Sequence, residues 1–64
     1  MTRELIERLP KNIIDEIDRL STDYHNGYKK DETRARLAGY CKGLRDAGLI
    51  TEYERKVLFV YGTI

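Results

Sequence analysis

Cysteine and histidine occur once each, as Cys41 and His25, and tryptophan is absent. One cysteine excludes an internal disulfide. One histidine, with no CxxC or HxxxH spacing, leaves no ligand set for a structural zinc, so neither metal nor cofactor is expected. No apolar run approaches the ~18 residues that a membrane span needs. The opening MTRELIERLPKN carries no apolar signal-peptide segment. An unpaired cysteine without such a segment fits a reducing compartment, and a cytoplasmic location is expected. A dominant charge is missing as well: 12 Lys and Arg against 11 Asp and Glu leave +1. A strong polyanion binder carries a clear basic excess. The chain also lacks a glycine-rich phosphate loop, a nucleophile elbow and a metal motif. These absences favour a protein that is not an enzyme.

What is present is charge and periodicity. A 64-residue chain has a small core, which alone rarely supplies more than ~3–5 kcal/mol. Such chains add disulfides, a metal or a partner subunit. With the first two missing, a homo-oligomer, most simply a dimer, is expected. The charge is also uneven. Residues 1–23 hold four basic and six acidic side chains, and residues 24–48 hold six basic and three acidic. Residues 49–64 cancel.

Leu5, Leu9, Ile13, Ile17, Leu20, Tyr24 and Tyr28 recur every three or four residues, widened by Ile6 and Ile14. That is a helical period. Pro10 interrupts it, because proline lacks an amide hydrogen and crowds the preceding turn. The spacing predicts a short helix near 2–8 and a longer one starting at Pro10, with a single kinked helix as the alternative. Asn26-Gly27 is a stop signal. Asp31 is the expected N-cap of the next helix, which carries the apolar stripe Leu37, Tyr40, Cys41 and Leu44. Ala35, Gly39 and Gly43 lie four apart beside that stripe. Glycine inside a helix costs about 1 kcal/mol relative to alanine, so another helix is expected to cross closely there.

The run LRDAGLITEYE, Leu44–Glu54, makes a tight helical corner. Gly48 suits the left-handed position that ends a helix. Thr51 and Glu54 have the spacing of a capping box, so the last helix starts near Glu52. Leu49 and Ile50 are expected to seal the corner. Val57–Tyr61 is then apolar throughout, which suits a helix buried on all sides. Its β-branched content also suits a strand over 57–64; the capping box favours the helix.

The candidates for chemistry have plainer readings. His25 sits in the polar turn DYHNGYKK, where Asp23 or Asp46 could orient it. Cys41 falls late in its helix on the apolar stripe, as a small core residue does. Asp15, Glu16 and Asp18 point to different faces of a helix, with Arg19 placed to pair with Asp15. The helix–turn–helix corner invites a DNA-binding reading. Its second helix, however, turns apolar after Arg55 and Lys56, and the basic groups of the 29–45 segment lie before the corner.

The corner resembles that of the short C-terminal helical-hairpin domains called SHOCT, through Leu44, Asp46, Ala47, Gly48, Leu49, Ile50, Thr51 and Glu54. The longer run from Gly39 to Ile64 is similar to small proteins of phages and mobile elements of gut bacteria. That resemblance implies a setting in which small proteins often act by binding a host protein.

The expected fold is all-α, a small bundle of three or four helices ending in a tight helical hairpin. The expected function is non-catalytic self-association through Gly39, Gly43, Val57, Leu58, Phe59, Val60 and Tyr61. The competing expectation is a host macromolecule, protein or nucleic acid, bound through Tyr28, Lys29, Lys30, Arg34 and Arg36.

Overall fold

Proline and glycine set the helix boundaries. A computed structural model of the protein describes residues 2–64. These form helices α1 (Thr2–Arg8), α2 (Lys11–His25), α3 (Lys30–Asp46) and α4 (Glu52–Thr63), with no strand among the described residues. The all-α expectation holds, and 57–63 is helix and not strand. Pro10 breaks the first stripe: its φ of −56° and ψ of 146° are extended, and α2 starts after it. Its carbonyl still serves the new helix, accepting from the amides of Ile13 and Ile14.

Both glycine stops close in the same way. Gly27 and Gly48 take φ of +77° and +78°, values that a residue with a Cβ rarely adopts. At the first stop, the Gly27 amide donates to the Tyr24 carbonyl and the Tyr28 amide to that of Asp23. At the second, the Gly48 amide donates to Arg45 and the Leu49 amide to Leu44. This paired pattern is the Schellman motif. After the second stop, Thr51 caps α4: its hydroxyl accepts from the Glu54 amide, and the Glu54 carboxylate accepts from the Thr51 amide. The same Glu54 oxygen also accepts from Arg8 at 2.8 Å, which ties α1 to the start of α4.

The expected Asp31 cap is not used. Helix α3 begins two residues earlier, with Lys29 as N-cap at φ 43°, ψ 53° and no side-chain cap bond. Only four residues separate α2 from α3, so the chain reverses by placing Lys29 in the left-handed region. Thr33 closes the turn instead, its amide donating to the Lys29 carbonyl and its hydroxyl to that of Tyr28. Asp31 and Glu32 fall in the first turn, where acidic side chains favour the helix dipole.

Helices α2, α3 and α4 pack against one another, and α1 lies on α4. Leu5, Leu9, Ile13, Ile17 and Leu20 enter the core with Leu37, Cys41, Leu44, Ile50 and Leu58. The sequence stripe thus holds as far as Leu20; Tyr24 is half-buried and Tyr28 exposed. At the corner Ile50 is buried, whereas Leu49 is 46% exposed and does not help to seal it.

The close helix crossing falls elsewhere than expected. A Cβ built at Gly39 or Gly43 meets nothing within 4 Å. At Gly62 it would lie 2.5 Å from Cδ2 of Leu37 and 3.3 Å from Cγ and Cδ1. Leu37 is fully buried and has little room to yield. Gly62 is the glycine that lets α3 and α4 approach. Its spacing from Leu58 places both on the core face of α4.

Ion pairs brace the surface. Lys11 takes Asp15 at 2.9 Å, and Arg19 takes Glu16 at 2.6 Å and Asp23 at 3.5 Å. The expected Asp15–Arg19 pair is replaced because each has a nearer partner. Arg55 donates to Glu52 from within α4 and Arg45 across the corner, and they hold its carboxyl at about 2 against an ordinary 4.5.

Two outcomes follow from these contacts. Gly39→Ala and Gly43→Ala should each raise stability by about 0.5–1 kcal/mol, since open space receives the methyl group and unfolded-state entropy falls. Gly62→Ala should lower it, because overpacking at roughly 1–3 kcal/mol exceeds that gain. Thermal unfolding followed by circular dichroism compares all three; a Gly62→Ala protein matching the parent would show that Leu37 yields freely. The second outcome concerns pH. A depressed folded-state pKa stabilises above the unfolded value and is lost as pH falls through the folded one. Glu52 therefore contributes above its ordinary 4.5 and ceases to do so towards pH 2, with Glu54 (beside Arg8) and Glu16 (beside Arg19) shifted in the same direction. Urea midpoints should drop across that window, and Glu52→Gln should flatten the drop.

Candidate functional site

Seating Leu58 and Gly62 inward turns another line of α4 outward. Tyr53, Val57, Val60 and Ile64 follow one another at spacings of four, three and four. That is the seam of a helix that pairs with another helix. Tyr53 is 61%, Val60 51% and Ile64 83% exposed, and Val57 is half-buried. An open apolar groove of about 580 Å³ runs along this line between Lys56, Val57, Val60, Tyr61 and Ile64.

The expected self-association residues therefore divide. Val57, Val60 and Tyr61 border the groove. Leu58 does not: it is fully buried in its own chain and has no surface to offer. Phe59 lies on the flank towards α3, with the Arg34 guanidinium 5.4 Å above its ring. Gly39 and Gly43 are exposed on α3 with open space before them. The helix is thus not apolar-buried on all sides; one face meets its own core and the opposite face meets solvent. Tyr53, Lys56 and Ile64 were missed as site residues. Their signal was the heptad spacing, hidden behind the continuous apolar run Val57–Tyr61.

Tyr61 bridges the two faces. Its hydroxyl donates to Asp18 on α2 at 3.1 Å, and burial together with Asp18 raises its pKa. Asp18 is exposed and makes no ion pair among the described residues, with Lys11 acting on it only at longer range. Lys56 has no acidic partner among them either.

The basic set does not form one face. Lys29 and Lys30 sit over the rings of Tyr28 and Tyr24, at 5.6 and 4.9 Å. Arg34 turns towards α4, over Phe59. Arg36 turns the other way, into a polar recess of about 290 Å³ shared with Arg19, Asp23, Tyr28, Lys29 and Glu32. What the set has in common is charge without compensation. Among the described residues Arg3, Arg8, Lys11, Arg19, Arg45 and Arg55 all make ion pairs, while Lys29, Lys30, Arg34 and Arg36 make none.

The catalytic candidates are not assembled. His25 is exposed and touches the edge of the Tyr24 ring at 5.5 Å. Asp23 and Asp46 are held by Arg19 and Arg45 and do not orient it. Cys41 is fully buried, and burial pushes its thiol up to about 11, only partly offset by Arg55. A thiol held so firmly protonated is a poor nucleophile. Among the described residues no three His, Cys, Asp or Glu side chains converge as a metal site, and no helix is long and apolar enough to cross a membrane. No protein family, curated protein or solved structure matches the chain.

Proposed function

We propose that the protein is a non-catalytic interaction module that self-associates through the outer face of α4. The observation that carries this reading is the outward heptad line Tyr53, Val57, Val60 and Ile64. Three of the five most exposed large hydrophobic residues lie on it. A helix that spends one apolar stripe on its own core has no use for a second stripe in water. The chain has one buried thiol and no disulfide to brace it, and a second copy would cover that stripe. The α4 helix has 12 residues, which is about 18 Å of length at 1.5 Å per residue. Such a seam belongs with interfaces below ~1,200 Å², which are weak and reversible. The dimer should therefore depend on concentration. A cytoplasmic setting in a phage or mobile element, with a host protein as eventual target, accords with the resemblance of residues 39–64.

A second reading assigns Tyr28, Lys29, Lys30, Arg34 and Arg36 to an acidic host macromolecule, protein or nucleic acid. The uncompensated charge of these four cations favours it. Three aromatic rings beneath them would add stacking.

Light scattering across concentration tests the first reading. Val60→Glu should reduce the dimer to a monomer and lower the thermal midpoint only to that of the parent diluted to monomer, because Val60 is half-exposed within the chain. Phe59 is the poorer probe, since its ring also seats Arg34. An unaltered mass for Val60→Glu would refute self-association through this face. Charge reversal by Lys30→Glu with Arg34→Glu tests the second reading. It should spare the mass of the dimer and abolish binding to a labelled DNA duplex, whose affinity should fall steeply with salt. Binding indifferent to salt would remove the nucleic-acid form of that reading.

A further inference from the structure

We infer that two copies pair their α4 helices in parallel about a two-fold axis running along them, with Lys56 of each copy reaching Tyr61 and Asp18 of the other. This rests on the self-association reading above and specifies the orientation and polar contacts of that interface. The spacing of the apolar line fixes the register. Steps of four, three and four lead from Tyr53 through Val57 and Val60 to Ile64. In a heptad these steps make Val57 and Ile64 the a positions and Tyr53 and Val60 the d positions. At about 100° per residue, Lys56 lies roughly 70° to one side of the line and Tyr61 roughly 70° to the other. They are the g and e positions, on opposite flanks of the seam.

The two flanks differ in charge. On one, the Tyr61 hydroxyl donates to Asp18 of α2 at 3.1 Å, and Asp18 makes no ion pair among the described residues. On the other, Lys56 borders the groove and makes none either. A two-fold dimer brings one patch against itself, in either of two orientations. An antiparallel pair sets each flank against its own copy, so Lys56 meets Lys56, Asp18 meets Asp18, and like charges repel. A parallel pair sets the Lys56 flank of each copy against the Tyr61 flank of the other, which is the contact between g and e positions that fixes orientation. The apolar stem of Lys56 then lies along the Tyr61 ring while its ammonium reaches the Asp18 carboxylate. Two uncompensated charges on one chain become two equivalent intermolecular pairs. The β-branched Val57 and Ile64 at the a positions also suit a parallel two-stranded pair. Parallel helices gather both acidic first turns at one end, but Arg45 and Arg55 neutralise Glu52 there and Arg8 neutralises Glu54. The aligned dipoles act only at the end turns and are screened by salt.

Variants with one added cysteine test the orientation. Tyr53→Cys and Ile64→Cys are mixed at a concentration where the parent is dimeric and equilibrated in a glutathione buffer, so that disulfides exchange. The native Cys41 is fully buried and does not compete. The two positions stand at opposite ends of the seam, about 16 Å apart along the helix at 1.5 Å per residue. In a parallel pair each faces its own copy, so the like disulfides should clearly outnumber the unlike one. A second arm measures the dimer Kd of Lys56→Asp, Asp18→Lys and the double variant. Each single change should weaken association about two- to tenfold, because it disrupts two exposed pairs per dimer, and the double should restore it. Circular dichroism confirms that each variant folds. An unlike disulfide as abundant as the like ones or more so, or no restoration in the double, overturns the parallel contact. If Val60→Glu meanwhile dissociates the parent dimer, self-association through α4 survives that result. A parent that is monomeric at every concentration, or a Val60→Glu protein that stays dimeric, sinks both.

Discussion

The seat of Gly62 on Leu37 governs how α4 is rotated, and that rotation governs what the surface offers. Leu37 is fully buried, and its side chain occupies the space that a Cβ at position 62 would need. With Gly62 and Leu58 turned inward, the helical period leaves Val60 and Ile64 facing outward. The other end of α4 is held by the Thr51–Glu54 capping box, by Arg45 on Glu52 and by Arg8 on Glu54. A helix fixed at both ends cannot roll to hide its second stripe. The groove along Val57, Val60, Tyr61 and Ile64 is a consequence of how the core was packed.

Charge divides the molecule in a similar manner. Between helices arginine meets carboxylate, Arg8 on Glu54 and Arg45 on Glu52, while Arg19 pairs with Glu16 and Asp23 within α2 and Arg55 with Glu52 within α4. Exposed pairs of this kind contribute little each, but they fix orientation. Between Lys29 and Arg36 the cations instead rest on aromatic rings or face a recess. Lys29 also holds the left-handed conformation at a cost of about 1–2 kcal/mol, which the short turn between α2 and α3 imposes. The near-zero net charge thus conceals a segment whose positive charge is not cancelled locally.

The groups with chemical potential are placed so that they do little chemistry. Cys41 is part of the core and kept protonated by burial. His25 stands in solvent beside Tyr24 without a carboxylate to orient it.

Much of the fold was legible in the chain. Pro10, Gly27, Gly48 and the Thr51–Glu54 pair each act through their immediate neighbours, so the boundaries of α2 and α4 and the corner at Gly48 could be read from local backbone chemistry. The stripe from Leu5 to Leu20 was equally plain, because one helix face repeats every three to four residues. The start of α3 lies two residues before the one that Asp31 suggests, since the short turn overrides the preference of Asp31 for a cap. The candidate site was read only in part. Val57, Val60 and Tyr61 were recognisable as apolar, but nothing local distinguishes them from Leu58, which the core takes. Nor could the spacing of Gly39 and Gly43 reveal that they face open space while Gly62 takes the close contact. Periodicity along a chain determines which residues share a face. Which face turns inward depends on how well the opposing surfaces fit, and that fit exists only once the helices have met.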